Sequence, residues 1–549
     1  MNQWLRQKIQ EIVGEGVVFS VLTPPDQKLG DYSTNVAFML AKRDGKNPIL
    51  LAQEVVGKFA DDAAFEKVEA VNGYINFFLS EKLLENHSAA KAEERGKVIV
   101  EYSSPNIAKP MHIGHLRSTI IGDALANVYE ALGYEVIRWN FIGDWGTQFG
   151  KLIAAYKKWG DKEGLEKHPV QEMLRLYVKF HEEMKSNPEL EKEGQEEFRR
   201  LEEGDAGNKK IWEEFRNESL KEFVVMYAYL NLAWKDLKAI GESDYESQLK
   251  PLIQELERKN LTKESEGALI IELNELPPAM LRKSDGATLY FTRDLAALKD
   301  RIENYKAAKI LYVVANQQAL HFEQLFAVAH KLDWDKTELV HVKFGMVLGE
   351  DGKKLATREG KVIPLQEVID EITEKAAKVV KLKNPDLKDE EIKKIAHTIG
   401  IGALKYNDLK QHPHTDITFD WEAMLDLGGN SGPYLQYTYA RLANILTKAE
   451  GDRSTKLPLG FDLEGKLIER KMIHYQDVLQ ECITGNALSG LALYLYELAG
   501  LLNRFYEKVH VLNESDSDKR NARLRLIEVA TKNLKNGLNL LGIQTLERI

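Results

Sequence analysis

The sequence contains a single cysteine, Cys482, among 549 residues. One thiol excludes a disulfide framework and any zinc site built from cysteines. No apolar stretch approaches the length that crosses a bilayer, and the first residues form an amphipathic helix pattern without the uninterrupted apolar core of a signal peptide. We therefore expect a cytoplasmic protein without a membrane partner.

A phosphate-binding loop of the Walker type is also missing. The nearest match runs from Gly460 to Lys466, but Leu467 follows where the motif needs a serine or threonine to bind magnesium. The formal net charge of −10 excludes a uniformly basic surface, although it allows a local basic face that binds nucleic acid. Any nucleotide chemistry must therefore use another motif.

Length and periodicity indicate several domains. A chain of 549 residues is too long for one hydrophobic core. Residues 1–95 alternate helix and strand patterns, with a helix start at Asn47-Pro48 and a hairpin around the two-residue turn Asn72-Gly73. This pattern predicts a small α+β N-terminal domain. From the sequence alone, a role in packing or dimerisation stays open for it.

The most informative motif is His112-Ile113-Gly114-His115. It follows an apolar run at 98–100 and opens a helix pattern that Gly133 ends. A second apolar run at 136–141 predicts the returning strand of a βαβ unit, so both histidines should lie at the carboxyl edge of a parallel sheet, where helix N-termini attract phosphate. Taken alone, the two histidines are more often surface residues, and that interpretation stays open.

The region 96–370 is predicted to form a Rossmann-like, doubly wound parallel sheet of the α/β class. A Lys/Glu-rich helical insertion interrupts it at about 151–250. A β-branched run at 310–314 ends at Asn316-Gln317-Gln318, which again places polar side chains at a strand's carboxyl end. Further along, a basic loop flanked by glycines covers 349–361 and could close over a polyphosphate, although alone it reads as a solvated turn.

From about 371 onward the pattern is helical. Residues 371–430 are predicted to connect the α/β region 96–370 to an all-α helix bundle at 431–549, with a hinge at the Gly/Pro cluster 428–433. Beyond this cluster Tyr434, Tyr437 and Arg441 share one helical face and could stack on exposed RNA bases. Core packing is the competing interpretation of these tyrosines.

These motifs resemble the HIGH and KMSKS motifs of class I aminoacyl-tRNA synthetases. The string from Glu101 through Asp123, with 143–150 after it, resembles the arginyl-tRNA synthetases in particular. Similarity continues over most of the chain at the segments 290–294, 317–318, 419–421 and 434–441 and in the closing helix. The tetrad alone is a weak signal, whereas the extended string is a specific one.

The resemblance implies a reaction with ATP, carried by Mg²⁺, and a set of residues at the nucleotide. His112 and His115 would donate hydrogen bonds to the phosphates, and Gly114 would leave room for the adenine ring. The ATP-site cations implied by the resemblance are Lys354 and Arg358 of the basic loop and Lys109 ahead of the tetrad. Lys109 would replace the second lysine of the KMSKS pattern, whose place Thr357 occupies; a solvated loop lysine is the alternative.

The resemblance also implies an arginine pocket and tRNA(Arg) as partner. A guanidinium offers five donors and no acceptor, so carboxylates should surround it. The implied arginine-binding residues are Asp294, Tyr290 and Glu101 at the guanidinium, and Asn106 and Gln318 at the α-amino and carboxylate end. The N-terminal domain would contact the tRNA elbow, and the helical face of Tyr434, Tyr437 and Arg441 the anticodon.

Other functions stay open at the level of sequence. A small-molecule nucleotidylyltransferase shares an H-x-G-H site but leaves the helical C-terminal region unexplained. A non-catalytic RNA-binding relative would be favoured by loss of His112, His115 or Asp294, all of which are present. The cysteine-specific class I relative is disfavoured because zinc ligands are lacking, and we expect a monomer that needs no zinc.

Overall fold

A computed structural model describes most of the chain. The described ranges are residues 1–24, 26–80, 83, 95–232, 237–284, 286, 288–349, 352–353, 355, 363–449 and 463–548. Across these ranges no helix combines the length and the apolar character that a bilayer crossing requires. In chain order, an N-terminal α+β unit is followed by a central α/β body and a C-terminal helical unit.

Within residues 1–24 and 26–80, the N-terminal unit contains three α-helices and one antiparallel sheet. Its elements in chain order are α1 (Asn2–Val13), β1 (Val21–Leu22), β2 (Tyr32–Thr34), α2 (Val36–Asp44), α3 (Pro48–Gly57), β3 (Phe65–Val71) and β4 (Tyr74–Leu79). The strand order is β1-β2-β4-β3. Two predictions are confirmed: Asn47 caps α3 by accepting the N–H of Ile49, and β3 and β4 pair around Asn72-Gly73, whose positive φ angles suit the tight turn.

The central body begins with the βαβ unit that carries the tetrad. Its elements are β5 (Arg95–Glu101), α4 (Ile113–Ala131), β6 (Tyr134–Ile142), α5 (Thr147–Trp159), α6 (Lys162–Lys167), α7 (Pro169–Ser186), α8 (Glu189–Glu202), α9 (Ala206–Tyr229), β7 (Leu237–Gly241), α10 (Glu246–Arg258), β8 (Lys263–Ser265), β9 (Ala268–Ile271), β10 (Ala279–Arg282), α11 (Tyr290–Glu303), β11 (Lys309–Ala315), α12 (Ala319–Lys331), β12 (Glu338–Phe344) and β13 (Val347–Leu348).

Five strands form the predicted parallel sheet, in the order β12-β11-β5-β6-β7. Val98 and Val100 face one hydrophobic core and Ile99 faces another, so helices cover both sides of β5. The chain winds outward from β5 through β6 to β7 and then returns to β11 on the other side. The order reverses between β5 and β11, and a ligand of a doubly wound sheet binds at such a switch point.

Helix α4 confirms the predicted helix after the tetrad, and Gly133 follows its end with a φ of 89°. Its burial is broader than the predicted apolar stripe, because Arg117, Ser118, Thr119 and Asp123 are buried as well. The helix lies between the sheet and the C-terminal helices, so nearly every face is covered.

The helical insertion consists of α5 to α9 and covers 147–229. Strand β7 then joins the parallel sheet at 237–241, well before the expected end of the insertion near 250. The sequence Leu237-Lys238-Ala239-Ile240-Gly241 is short and carries few β-branched residues, which explains why its strand character is weak in the sequence.

The remaining helices form the C-terminal part. They are α13 (Leu365–Lys383), α14 (Asp389–Leu409), α15 (Trp421–Leu425), α16 (Gly432–Lys448), α17 (Leu463–Met472), α18 (Tyr475–Gly485), α19 (Ser489–Lys508) and α20 (Ser517–Leu540), with the short strand β14 (Ile417–Thr418) paired to β13. The Gly/Pro cluster at 428–433 separates α15 from α16, where Ser431 caps the helix by accepting the N–H of Tyr434.

Buried polar contacts join these units. Arg117 of α4 donates to both carboxylate oxygens of Asp408 on α14 at 3.0–3.2 Å, and both side chains are 1% exposed. At the N-terminal unit, Tyr32 donates to Asp477 of α18 at 2.5 Å. Helix α4 is thus fixed directly to the helical part of the chain.

Candidate active site

The segment from β5 to α4 adopts an unusual backbone. Ser103, Ser104 and Ala108 have φ angles of 69°, 45° and 63°, in the left-handed region that residues other than glycine rarely adopt. Side chains from other segments accept their N–H groups. Ser118 accepts from Ser103 and Asn140 accepts from Ser104, both at 3.0 Å. Ser219 of α9 accepts from Ala108 at 2.9 Å. Such imposed strain is typical of functional segments.

The two histidines of the tetrad form a cap at the start of α4. His112 Nδ1 accepts the N–H of Gly114 at 3.0 Å, and His115 Nδ1 accepts the N–H of His112 at 3.1 Å. An Nδ1 that accepts carries no proton, so in the neutral form each ring keeps its proton on Nε2. Burial, with the neighbouring His112 imidazole, lowers the pKa of His115 to about 3. His115 is therefore a neutral ring with one Nε2–H donor.

Gly114 is required by the geometry of this cap. A Cβ at this position would lie 2.8 Å from Cε1 of His112, closer than real side chains pack. The glycine is exposed and leaves backbone uncovered at the helix start.

Backbone hydrogen bonds attach the end of the basic loop to the tetrad. The N–H of Ile113 donates to the carbonyl of Ile363 at 3.0 Å, and the N–H of Leu365 donates to Met111 at 2.9 Å. Within the loop, the N–H of Leu355 donates to the carbonyl of Val347 in β13 at 3.0 Å. Lys354 and Arg358 lie outside the described residues.

Lys109 contacts the helical insertion. Its ammonium lies 4.3 Å from the centroid of the Tyr177 ring on α7. A cation over an aromatic face is attracted by the ring quadrupole. The helical insertion thus contacts Lys109, three residues before the tetrad.

Glu101, at the carboxyl end of β5, already has a cationic partner. Its Oε2 lies 2.5 Å from Nη2 of Arg301, and the Arg301 guanidinium also lies over the rings of Trp139 and Tyr312. Burial raises the pKa of Glu101, Arg301 opposes this, and the nearby Asp294 charge adds to it. Glu101 therefore lies close to Asp294 but is not a free carboxylate.

Asp294 lies near the start of α11 and contacts His321 at the start of α12. The distance between Asp294 Oδ2 and His321 Nε2 is 2.6 Å. Burial alone would lower the pKa of His321, but the Asp294 carboxylate outweighs burial and leaves this pKa above its ordinary value. His321 was missed in the sequence because it lies beyond the Gln317-Gln318 segment that carried the resemblance.

Glu242 is a second acid that the sequence analysis missed. It follows the last residue of β7, at the same sheet edge, and its Oε2 is buried without a hydrogen bond to any described residue. Burial and then the charge of Asp294 raise the pKa of Glu242 to about 8. The available signal was an acid directly after a short apolar run ending in glycine, hidden because the run was assigned to the insertion.

The other predicted pocket residues lie at the same edge. Asn106 packs on Gly143, where a Cβ would lie 1.9 Å from its Oδ1. Tyr290 is 58% exposed, and its hydroxyl lies 4.0 Å from where a Cβ of Gly146 would be. Gln318 is exposed in the 3₁₀ turn after β11. The loops after β5, β6, β7 and β11 therefore lie at one edge of the sheet.

The three residues predicted on the helical face of α16 have distinct surroundings. The Tyr434 hydroxyl accepts from Asn503 of α19 at 3.0 Å. The Arg441 guanidinium lies 4.8 Å from the Tyr437 ring centroid and 5.0 Å from that of Tyr506. The Arg441 guanidinium also donates to Asn503 at 3.2 Å, so both Tyr434 and Arg441 are tied to α19.

Family models cover nearly the whole chain. The model for the catalytic domain of class I (R) tRNA synthetases matches residues 78–421. The arginyl tRNA synthetase N-terminal domain matches residues 1–79, and the DALR anticodon binding domain matches residues 435–549. The fold and the site thus define a class I aminoacyl-tRNA synthetase.

Individual relatives identify the family within this class. The arginine–tRNA ligase of Clostridioides difficile is 39% identical, with 100% of this chain and 99% of the relative covered. Arginine–tRNA ligase 2 of Bacillus anthracis is 41% identical, with 98% and 97% covered. The Thermus thermophilus arginyl-tRNA synthetase structure superposes with a TM-score of 0.86 at 25% identity, covering 100% of both chains. The structure of the Plasmodium falciparum arginyl-tRNA synthetase superposes with a TM-score of 0.84 at 27% identity, covering 100% of this chain and 98% of that one. The chain belongs to the arginyl-tRNA synthetase family.

Proposed function

We propose that the chain joins L-arginine to tRNA(Arg) at the carboxyl edge of its parallel sheet. In the first step the arginine carboxylate attacks the α-phosphorus of ATP, pyrophosphate leaves and arginyl-adenylate forms. In the second step a hydroxyl of the terminal ribose attacks the arginyl carbonyl and AMP leaves. Positioning and charge stabilisation carry such a reaction, so no covalent bond to the protein is required.

One observation carries the assignment of arginine: the buried, unpartnered Oε2 of Glu242 beside Asp294. A buried acid without a partner is unfavourable, and a planar cation with five donors relieves it. Glu242 and the remaining oxygen of Asp294 receive the guanidinium, next to the Tyr290 hydroxyl. Glu101 adds negative charge from behind this pocket, because its own carboxylate is paired with Arg301.

The opposite end of the substrate faces the loops after β5 and β11. Asn106 and Gln318 hold the α-amino and carboxylate groups of arginine there. Neutral amino acids leave the pocket acids unpaired and are rejected at first binding, because hydrogen bonds to charged groups contribute about 1.5–3 kcal/mol each. An editing step is then unnecessary.

ATP lies over the start of α4. The Nε2–H groups of His112 and His115 donate to the phosphate chain, and Lys109 adds a cation. Gly114 keeps the helix start open for the adenine ring. Lys354 and Arg358 stabilise the departing pyrophosphate. ATP enters as its Mg²⁺ salt, and no zinc takes part.

The tRNA spans the N-terminal unit, the central body and the C-terminal helices. In this proposal residues 1–95 contact its elbow, 371–430 its stem and 431–549 its anticodon, with 96–370 forming the catalytic domain. The ring surfaces of Tyr437 and Tyr506 around Arg441 support stacking with anticodon bases. Tyr434 supports that face from within the bundle. The protein acts as a monomer in the cytoplasm.

The test is ATP–pyrophosphate exchange with each of the twenty amino acids, with and without tRNA. Exchange is expected only when arginine and tRNA(Arg) are both present. A control without ATP fixes the background. Exchange driven better by another amino acid overturns the assignment, and exchange with arginine in the absence of tRNA overturns the expected tRNA requirement alone.

A further inference from the structure

Asp144, in the loop after β6, makes the densest set of polar contacts near the pocket. Its side chain is 0% exposed. One carboxylate oxygen accepts the N–H of Ser243 at 2.9 Å, and the other accepts the Ser243 hydroxyl at 2.9 Å and Nε–H of Arg216 at 2.8 Å. Its main-chain carbonyl accepts the Trp212 indole N–H at 2.7 Å.

These contacts join the helical insertion to the end of β7 through one residue in the loop after β6. Arg216 and Trp212 lie on α9 of the helical insertion, whereas Ser243 follows Glu242 at the end of β7. On the other side of Glu242, a Cβ on Gly241 would lie 2.0 Å from Asp144 Oδ2, so only glycine allows this approach. Both neighbours of Glu242 are therefore packed on one carboxylate.

We propose that Asp144 is a positioning residue through which Arg216 of the helical insertion sets the pose of Glu242 in the arginine pocket. Asp144 touches no substrate itself. Its carboxylate fixes the main chain on both sides of Glu242, and Arg216 fixes that carboxylate in turn. The insertion therefore controls selection of arginine without contributing a side chain to the guanidinium. This inference rests on the proposed role of Glu242.

The charge balance supports this arrangement. A fully buried carboxylate needs a cation and several donors, and Asp144 receives both from residues of distant segments. Arg216 is 22% exposed and also lies 3.7 Å from Asp244, so its cation is shared between the two acids. Removing Arg216 leaves Asp144 without its cation and loosens the turn at 241–244.

The experiment is a double-mutant cycle on the arginine KM, measured in ATP–pyrophosphate exchange with tRNA. Arg216→Met is expected to raise the arginine KM about 5- to 20-fold, while the ATP KM and the kcat at saturating arginine change less than about twofold. In a Glu242→Gln background, Arg216→Met is expected to change the arginine KM less than about twofold, because its effect passes through Glu242. Arg216→Lys should recover part of the loss.

Two further variants keep the test decisive. Asp144→Asn retains an acceptor for the Ser243 N–H but removes the charge, and it should follow the same pattern; Arg216→Met covers the case in which it fails to fold. Arg199→Met, which removes an exposed ion pair on α8, is the matched control and should leave the arginine KM unchanged.

The outcomes separate the two proposals. If Glu242→Gln leaves the arginine KM unchanged, the proposed role of Glu242 fails. If Glu242→Gln raises the arginine KM while Arg216→Met does not, or if the two effects multiply in the double variant, Glu242 keeps its role and the positioning inference is overturned. A parallel fall in kcat and in ATP affinity for Arg216→Met also overturns it.

Discussion

His321 Nε2 lies 2.6 Å from Oδ2 of Asp294, so the imidazole fixes one side of the carboxylate. The other oxygen, Oδ1, makes no hydrogen bond to a described residue. The pair orients Asp294 from the start of α12 and leaves one acceptor for a ligand. Because the Asp294 carboxylate raises the pKa of His321, this imidazole carries more positive charge near neutral pH than an isolated histidine does.

Asp294→Asn should chiefly raise the arginine KM. The amide keeps the shape but loses the charge that pairs with the guanidinium, and a charged hydrogen bond of about 1.5–3 kcal/mol corresponds to roughly a 10- to 150-fold rise. The ATP KM should change less than about twofold, because the phosphates lie at the start of α4. Exchange kinetics with each substrate varied in turn measure both constants.

Asp335→Asn is a matched control for this variant. Asp335 pairs with His330 at 2.7 Å. His330 lies on α12, as His321 does, but this pair is on the exposed surface. Its loss should leave both KM values unchanged. An unaltered arginine KM in Asp294→Asn would remove Asp294 from the pocket.

Arginine binding should depend on pH through Glu242. The groups that face this carboxyl are Asp294 and Arg293 of α11, Asp144 and Glu246. With a pKa of about 8, Glu242 is mostly protonated at pH 7, so binding a guanidinium must release its proton. Affinity for arginine therefore rises with pH up to about 8, by at most about tenfold per unit, and then levels off.

Calorimetry in buffers of different ionisation enthalpy measures this proton release directly. We expect close to one proton released per arginine bound at pH 7 in the unmodified protein. Glu242→Gln should bind arginine more weakly and with little pH dependence over the same range. Proton release that persists in Glu242→Gln would assign the titration to another group.

The sequence predicts those parts of the site that local pattern determines. The end of β5, the helix after it and the strand that returns have strong periodicity, so His112 and His115 were placed correctly at the start of α4. The hairpin around Asn72-Gly73 and the cap at Asn47 are equally local. Turn and cap chemistry involves residues that are adjacent in the chain, which makes it readable from sequence.

Long-range partners could not be predicted in this way. The pairing of Glu101 with Arg301 joins residues 200 positions apart through a buried contact that leaves no local pattern. Glu242 was missed because β7 is short, and its position among the Lys/Glu-rich helices hid the strand. The breadth of burial of α4 also depends on the C-terminal helices packed against it, and single-helix periodicity does not contain this information.

Lys109→Ala should slow arginine activation more than it weakens arginine binding. The proposed partner of Lys109 is the polyphosphate, so its loss removes stabilisation of developing charge and is expected to lower the rate on the order of 100-fold. The arginine Kd should stay within about twofold. Single-turnover formation of arginyl-adenylate, with tRNA present, gives the rate, and equilibrium titration gives the affinity.

Lys179→Ala tests whether any lysine over an aromatic ring has this effect. Lys179 lies 4.9 Å from the Trp159 ring centroid within the insertion, away from the tetrad. Its loss should leave the activation rate unchanged. Lys109→Arg keeps the charge and should recover much of the rate; a normal rate in Lys109→Ala would return Lys109 to the role of a solvated loop residue.

Arg117→Met should destabilise the protein through the charge it leaves behind. Asp408 is 1% exposed and lies on α14, so loss of its guanidinium partner leaves a buried carboxylate that costs about 3–5 kcal/mol. Burial already raises the pKa of Asp408 against the opposing effect of Arg117. The midpoint of thermal unfolding, followed by circular dichroism, should fall by several degrees.

The double variant Arg117→Met with Asp408→Leu separates charge from packing. Removing both partners leaves no buried ion, so much of the lost stability should return even though the hydrogen bonds between α4 and α14 are gone. Arg199→Met, on an exposed ion pair, should shift the midpoint little, because such pairs contribute about 0–1 kcal/mol. If the double variant is no more stable than Arg117→Met, the ion pair acts through its geometry, and the contact that fixes α4 to α14 depends on directed hydrogen bonds rather than on charge compensation.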